Sequence, residues 1–91
     1  MSTWTVDARG NGTFTFDVGP FPAGVINRHS NVFASICELS QPSGEPLDFP
    51  FLGAATMTVD NIAPQDSGHV LLYVSVNWGS PLNFRIHLAV L

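Results

Sequence analysis

The sequence predicts an all-β protein, a small antiparallel β-sandwich of about six strands, and three observations carry that prediction. Alternation of apolar and polar residues with the two-residue period of a strand recurs six times along the chain. Segments containing Gly, Pro, Asn and Asp, the residues that break regular structure, separate these runs. The chain has 91 residues, 45% of them hydrophobic, which is enough for one core and too few for two. A single domain over residues 1–91 follows, and no internal repeat, charge run, low-complexity tract or linker divides it.

The first strand is predicted over Thr3 to Ala8 and the second over Thr13 to Val18, with Phe14, Phe16 and Val18 sharing a face. Gly10-Asn11-Gly12 between them supplies residues that tolerate positive φ, so the two strands are expected to pair as a hairpin. Pro20 and Pro22 then stop the pattern, because each removes a backbone donor, and a loop carrying Asn27, Arg28 and His29 follows. The third strand, Asn31 to Leu39, has apolar residues on both faces, as a central strand would. Ser40 to Gly53 contains Pro42, Gly44, Pro46 and Pro50 and reads as an irregular crossover, with Leu47, Phe49, Phe51 and Leu52 expected to cap the core. The fourth strand is Ala54 to Asp60, and Asn61 to Gly68 reads as a turn.

The last two strands share a parity. Val70, Leu72, Val74 and Val76 on one and Phe84, Ile86, Leu88 and Val90 on the other are all even-numbered, so they can face one core. Pairing them as a hairpin with Val76 opposite Phe84 keeps Pro81 out of the ladder and leaves Trp78-Gly79-Ser80-Pro81-Leu82 as its tip. On the reverse face that register sets Tyr73 beside His87, Ser75 beside Arg85 and Asn77 beside Asn83, with Leu71 on the same side.

Composition excludes several functions. The only basic residues besides three histidines are Arg9, Arg28 and Arg85, there is no lysine, and the formal net charge is −4. Phosphate backbones and anionic membrane surfaces both demand clustered positive charge, so neither nucleic acid nor a membrane is an expected partner. Charged residues make up 11% of the chain, against roughly 25% in an ordinary domain. So little charge on so small a domain predicts that part of the surface is covered by other copies, a homo-oligomer. Cys37 is the single cysteine, which rules out an intrachain disulfide and leans towards a reducing compartment. Met1-Ser2-Thr3-Trp4 shows no signal-peptide pattern, and a soluble, cytoplasmic protein is the default expectation.

No catalytic constellation emerges, and the protein is not expected to be an enzyme. His29, His69 and His87 lie far apart and fit no metal-ligand spacing. Glu45 and Asp48 flank a Pro-rich turn and read as solvated carboxylates rather than an acid–base pair. Cys37 sits in a strand beside Ile36 and Leu39, the setting of a packed thiol. Gly10-Asn11-Gly12 lacks the lysine and the helix of a phosphate loop. Neither a cofactor nor a bound metal is implied. Trp78 is different, because the predicted register places it on a loop, where a large indole needs a reason to be exposed. It either packs at an edge or subunit boundary, or offers a stacking surface for the C–H face of a sugar, with Asn77, Ser80, Asn83 and Arg85 as hydrogen-bonding partners and Phe84 as support.

The run Phe14-Thr15-Phe16 leading to Pro20-Phe21-Pro22, then Val32-Phe33-Ala34-Ser35-Ile36, and finally Val74-Ser75-Val76-Asn77-Trp78-Gly79 followed by Phe84-Arg85-Ile86-His87-Leu88-Ala89-Val90, resembles the H-type lectin domain over residues 13–91. The resemblance implies a six-stranded sandwich assembled as a trimer or a pair of trimers that binds N-acetylgalactosamine-type sugars at subunit boundaries. Trp78 matches the family's turn tryptophan, and Phe84 stands where an aromatic residue with a hydroxyl is more usual. Gly79 replaces the polar residue that often follows the tryptophan, and the fourth strand offers Thr56 and Thr58 where a sugar-binding arginine is expected. Similar sandwiches occur at the tips of phage tail fibres, with an adhesive or purely structural role. A second run, Thr56 to Gly68, is similar to the approach to the penultimate strand of an immunoglobulin-type domain, although Val70 falls where that fold has its corner tyrosine. The sequence therefore points to an oligomeric carbohydrate-binding module, with a structural or assembly sandwich and an immunoglobulin-like binding domain as the alternatives.

Overall fold

The computed structural model describes residues 1–41 and 43–91, so Pro42 of the expected crossover lies outside the described residues. The chain is all-β, with seven strands among the described residues: β1 (Ser2–Gly10), β2 (Gly12–Val18), β3 (Val32–Ser40), β4 (Phe49–Phe51), β5 (Thr56–Pro64), β6 (Val70–Asn77) and β7 (Leu82–Val90). They form two antiparallel sheets, a four-stranded one in the order β1-β7-β3-β4 and a three-stranded one in the order β2-β6-β5.

The core is the meeting of the two central strands. Val70, Leu72, Val74 and Val76 of β6 and Phe84, Ile86, Leu88 and Val90 of β7 are all buried. Burying an aliphatic or aromatic side chain of this size contributes roughly 1.5–3 kcal/mol, so these eight residues dominate the stabilisation. Phe84 packs against Phe14 at 6.0 Å and edge-on against Phe16 at 5.9 Å between ring centroids, which joins β7 to β2 across the sandwich. The Gly19–Asn31 loop closes one end of the core, with Ile26 buried and Phe21 meeting Trp4 edge-to-face at 4.7 Å. Arg28 fixes this loop to the turn before β6: its backbone N–H and Nε donate to the two Asp66 oxygens, each at 2.8 Å.

The core residues of β6 and β7 are those expected, but two expected hairpins do not form. β6 and β7 lie in different sheets and face each other across the core rather than through a ladder. β6 spends its hydrogen bonds on β2 and β5, and β7 on β1 and β3, so neither has an edge left for the other. Likewise β1 pairs with β7, from Ser2 opposite Val90 to Gly10 opposite Leu82, and β2 pairs with β6, from Gly12 opposite Val76 to Val18 opposite Val70. Gly10-Asn11-Gly12 is a corner between sheets, with Gly12 at φ +76°. The segments 11 and 78–81 are both corners at the same pole, and they touch: Asn11 Nδ2 donates to the Trp78 carbonyl at 3.3 Å.

The crossover between β3 and β5 also differs from expectation. It contains the short strand β4, paired to β3 through Phe49 opposite Ser40 and Phe51 opposite Glu38. Leu47, Phe49, Phe51 and Leu52 do not cap the core. All four are exposed, Leu52 completely. β5 continues four residues beyond the predicted Asp60 because it carries a bulge: Val59 opposes Val74 and Asn61 opposes Tyr73, which leaves Asp60 as an extra residue.

Candidate functional site

The two outer faces of the sandwich carry different chemistry, and the six residues singled out in the sequence are divided between them. On β7 the even positions are core, so Asn83 and Arg85 point outwards from the four-stranded sheet. On β6 the same parity holds, so Asn77 points outwards from the three-stranded sheet, on the opposite side of the molecule. Packed sheets are roughly 10 Å apart between backbones, with outward side chains further still. Arg85 and Asn83 therefore cannot share a ligand contact surface with Asn77. The expected lateral pairs Tyr73–His87, Ser75–Arg85 and Asn77–Asn83 are absent for the same reason. Phe84 is 0% exposed and belongs to the core. Trp78 and Ser80 are exposed in the corner that connects the sheets.

Arg85 has a partner of its own. Its Nε donates to Asp7 Oδ1 at 2.7 Å and its Nη2 to Asp7 Oδ2 at 3.0 Å, a two-pronged contact across the β1–β7 ladder, where the two residues stand opposite each other. The Arg85 hydrogen bond holds the Asp7 carboxyl below the usual carboxylate range, and Asp7 in turn raises Arg85. The guanidinium is thus committed to holding an edge strand.

What remains of the predicted site gains new neighbours on the three-stranded sheet. Its outer face presents Thr13 and Thr15 from β2, Tyr73, Ser75 and Asn77 from β6, and Thr56 and Thr58 from β5, none of them buried. Asp60 continues the Thr56–Thr58 alternation onto this face, and the bulge brings Asn61, opposite Tyr73, there as well. Ser75 Oγ and Thr58 Oγ1 both donate to its carboxylate, the latter at 2.7 Å, and Ser75 Oγ lies 3.0 Å from Thr13 Oγ1. The Ser75 donor first, then that of Thr58, lowers the Asp60 pKa, so the group is an anion fixed in orientation. No Arg or Lys occurs on β2, β5 or β6. Beside this hydroxyl–carboxylate row, Trp78 is 45% exposed and Tyr73 49%. Gly12, Thr13, Ser75, Asn77 and Trp78 line an open cleft of about 320 Å³ at the corner.

Asp60 shares the parity of Thr56 and Thr58 but was not among the predicted site residues, and the bulge beside it is also legible in the sequence. The apolar positions of the fourth strand run Ala55, Met57, Val59 and then jump to Ile62, a parity break that marks one inserted residue. Ser75, assigned to the same face as Arg85, belongs instead with Thr13 and Asp60. Among the described residues no group of three or more His, Cys, Asp or Glu side chains could hold a metal ion. Comparison with known protein families, curated proteins and solved structures finds no match for this chain.

Proposed function

We propose that the protein is a non-catalytic carbohydrate-binding module whose site is the Trp78 corner and the adjoining outer face of the three-stranded sheet. The observation that carries this reading is the hydroxyl–carboxylate row of Thr13, Ser75 and Asp60 beside the exposed Trp78 ring and Asn77. A sugar offers an apolar C–H face to an aromatic ring and a rim of hydroxyls that both donate and accept. An oriented carboxylate accepts from such hydroxyls, and Asn and Ser side chains do both. An uncharged polyol needs no basic residue, which agrees with a face free of Arg and Lys. The H-type lectin resemblance points to the same tryptophan, while Thr56 and Thr58 stand where its arginine is expected and Asp60 lies beside them. Assembly into a homo-oligomer, the trimer or hexamer that the resemblance implies, would multiply weak single sites by effective concentration.

The test is a glycan array followed by titration calorimetry with the best ligand. Trp78→Ala and Asp60→Asn are each expected to weaken binding by roughly tenfold or more, while Thr3→Ala on the far sheet leaves it unchanged. Equal affinity in all three variants would sink the site. A second reading, an assembly or fibre-tip subunit, is favoured by one observation, the exposed cluster of Leu47, Phe49, Phe51 and Leu52. An oligomer that binds no glycan and dissociates on Leu52→Asp would make that the better account.

A further inference from the structure

On the opposite side of the molecule, the four-stranded sheet brings together the single cysteine and a histidine that are 50 residues apart in sequence. In the β3–β7 ladder Cys37 stands opposite Arg85 and Ser35 opposite His87. Cys37 and His87 are thus diagonal neighbours on one face, within reach of each other across the pair of strands. Their side chains meet, with Cys37 Sγ 3.7 Å from His87 Nε2. His87 is exposed and Cys37 half-buried.

We propose that Cys37 and His87 are a chelating pair for one divalent metal ion of the zinc class. A zinc ion sits about 2.3 Å from a thiolate sulfur and about 2.0–2.1 Å from an imidazole nitrogen, so a tetrahedral angle between them separates the two donors by roughly 3.6 Å. The observed 3.7 Å is close to that separation. Neighbouring strands of one hydrogen-bonded ladder hold both donors, and β7 is interior to its sheet, so the backbone sets the spacing. A thiolate with an imidazole selects zinc-like ions over calcium and magnesium, which prefer oxygen. Ser35 and Thr5 flank His87 on either side in the ladder, leaving the remaining coordination positions to water or an incoming ligand. Arg85 would repel a cation, but the Asp7 carboxylate neutralises it through two hydrogen bonds. On binding, the metal–sulfur bond replaces the S–H bond of Cys37, the proton passes to solvent, and Nε2 of His87 donates its lone pair with no change of oxidation state. The pair lies on the sheet opposite Trp78, so the inference stands or falls independently of carbohydrate binding.

Titration of the full chain with Co(II), read by the thiolate-to-metal charge-transfer band and by displacement with zinc, tests it. The expected result is one ion per chain, loss of the band in Cys37→Ser, affinity reduced roughly tenfold or more in His87→Asn, and wild-type behaviour in His29→Asn. Because His87 is exposed, its variant is expected to fold, with a circular dichroism spectrum matching wild type. Undiminished affinity in His87→Asn, or one ion shared between two chains through both thiols, would overturn the chelating pair.

Discussion

Asp7, Asp60 and Asp66 each carry a carboxyl whose pKa lies below its ordinary value, held there chiefly by Arg85, by the Ser75 and Thr58 hydroxyls, and by Arg28 respectively. A carboxyl with a depressed folded-state pKa adds stability above its unfolded pKa and loses it as pH falls through the folded value. Through these groups the melting temperature is expected to hold from neutral pH to about 5 and to decline below about 4, and Asp7→Asn should make that acid decline shallower in a thermal melt series. Phe84 sets the opposite kind of dependence, one of volume. Phe84→Ala should cost about 3–5 kcal/mol in urea unfolding at any pH in that range, since a core ring is lost. Gly19 is constrained by backbone: its φ is +129°, and a Cβ there would lie 2.9 Å from the Gly68 carbonyl oxygen. Gly19→Ala is expected to cost about 1–3 kcal/mol. At this scale the sequence was informative about burial and poor about contacts. The even positions of residues 70–76 and 84–90 were legible as core because a strand has a period of two. Arg85 looked available because nothing in a one-dimensional pattern sets it against Asp7, 78 residues away.

The strands themselves were mostly legible, and their partners were not. Two strands with matching parity bury the same residues whether they lie side by side in one sheet or face each other from two. Parity alone therefore could not separate the expected β6–β7 hairpin from the observed packing across the core. Gly10-Asn11-Gly12 and the 78–81 segment were read as hairpin tips because positive φ and Pro serve a corner as well as a tight turn. The consequence for the candidate site was direct, since a hairpin would have gathered Asn77, Asn83 and Arg85 on one face, and the corner sends them to two. The observed order also ranks the strands. β6 and β7 each have neighbours on both sides, whereas β4 is three residues long, lies at an edge and contains Pro50. Amide hydrogen exchange is expected to be slowest in β6 and β7 and fastest in β4. Slow exchange in β4 would point to a partner covering that edge.

For the whole molecule, the pairing of β1 with β7 means that folding must close nearly the entire chain before the four-stranded sheet is complete. Such non-local topology predicts refolding over roughly milliseconds to seconds, measurable by stopped-flow tryptophan fluorescence through Trp4, which lies partly buried against Phe21. The chain weighs 9.8 kDa, and its exposed cluster of Leu47, Phe49, Phe51 and Leu52 leads us to expect a light-scattering mass that is a multiple of that value. A monomer would remove the multivalent part of the proposal and leave the single site intact.

The same β1–β7 ladder has a mechanical meaning. Ser2 lies opposite Val90, so both ends of the chain emerge together at one pole, while Gly10, Leu82 and the Trp78 corner occupy the other. Nine strand residues span roughly 30 Å, which separates the two poles along a molecule 41 Å in its longest dimension. Force applied between the two ends would load the ladder one hydrogen bond at a time, as a zip is opened, and not all at once in shear. A pull of that kind should part β1 from the sheet at low force. A load carried from both ends together to a ligand at the far pole would instead run lengthwise through all the strands and leave the ladder intact.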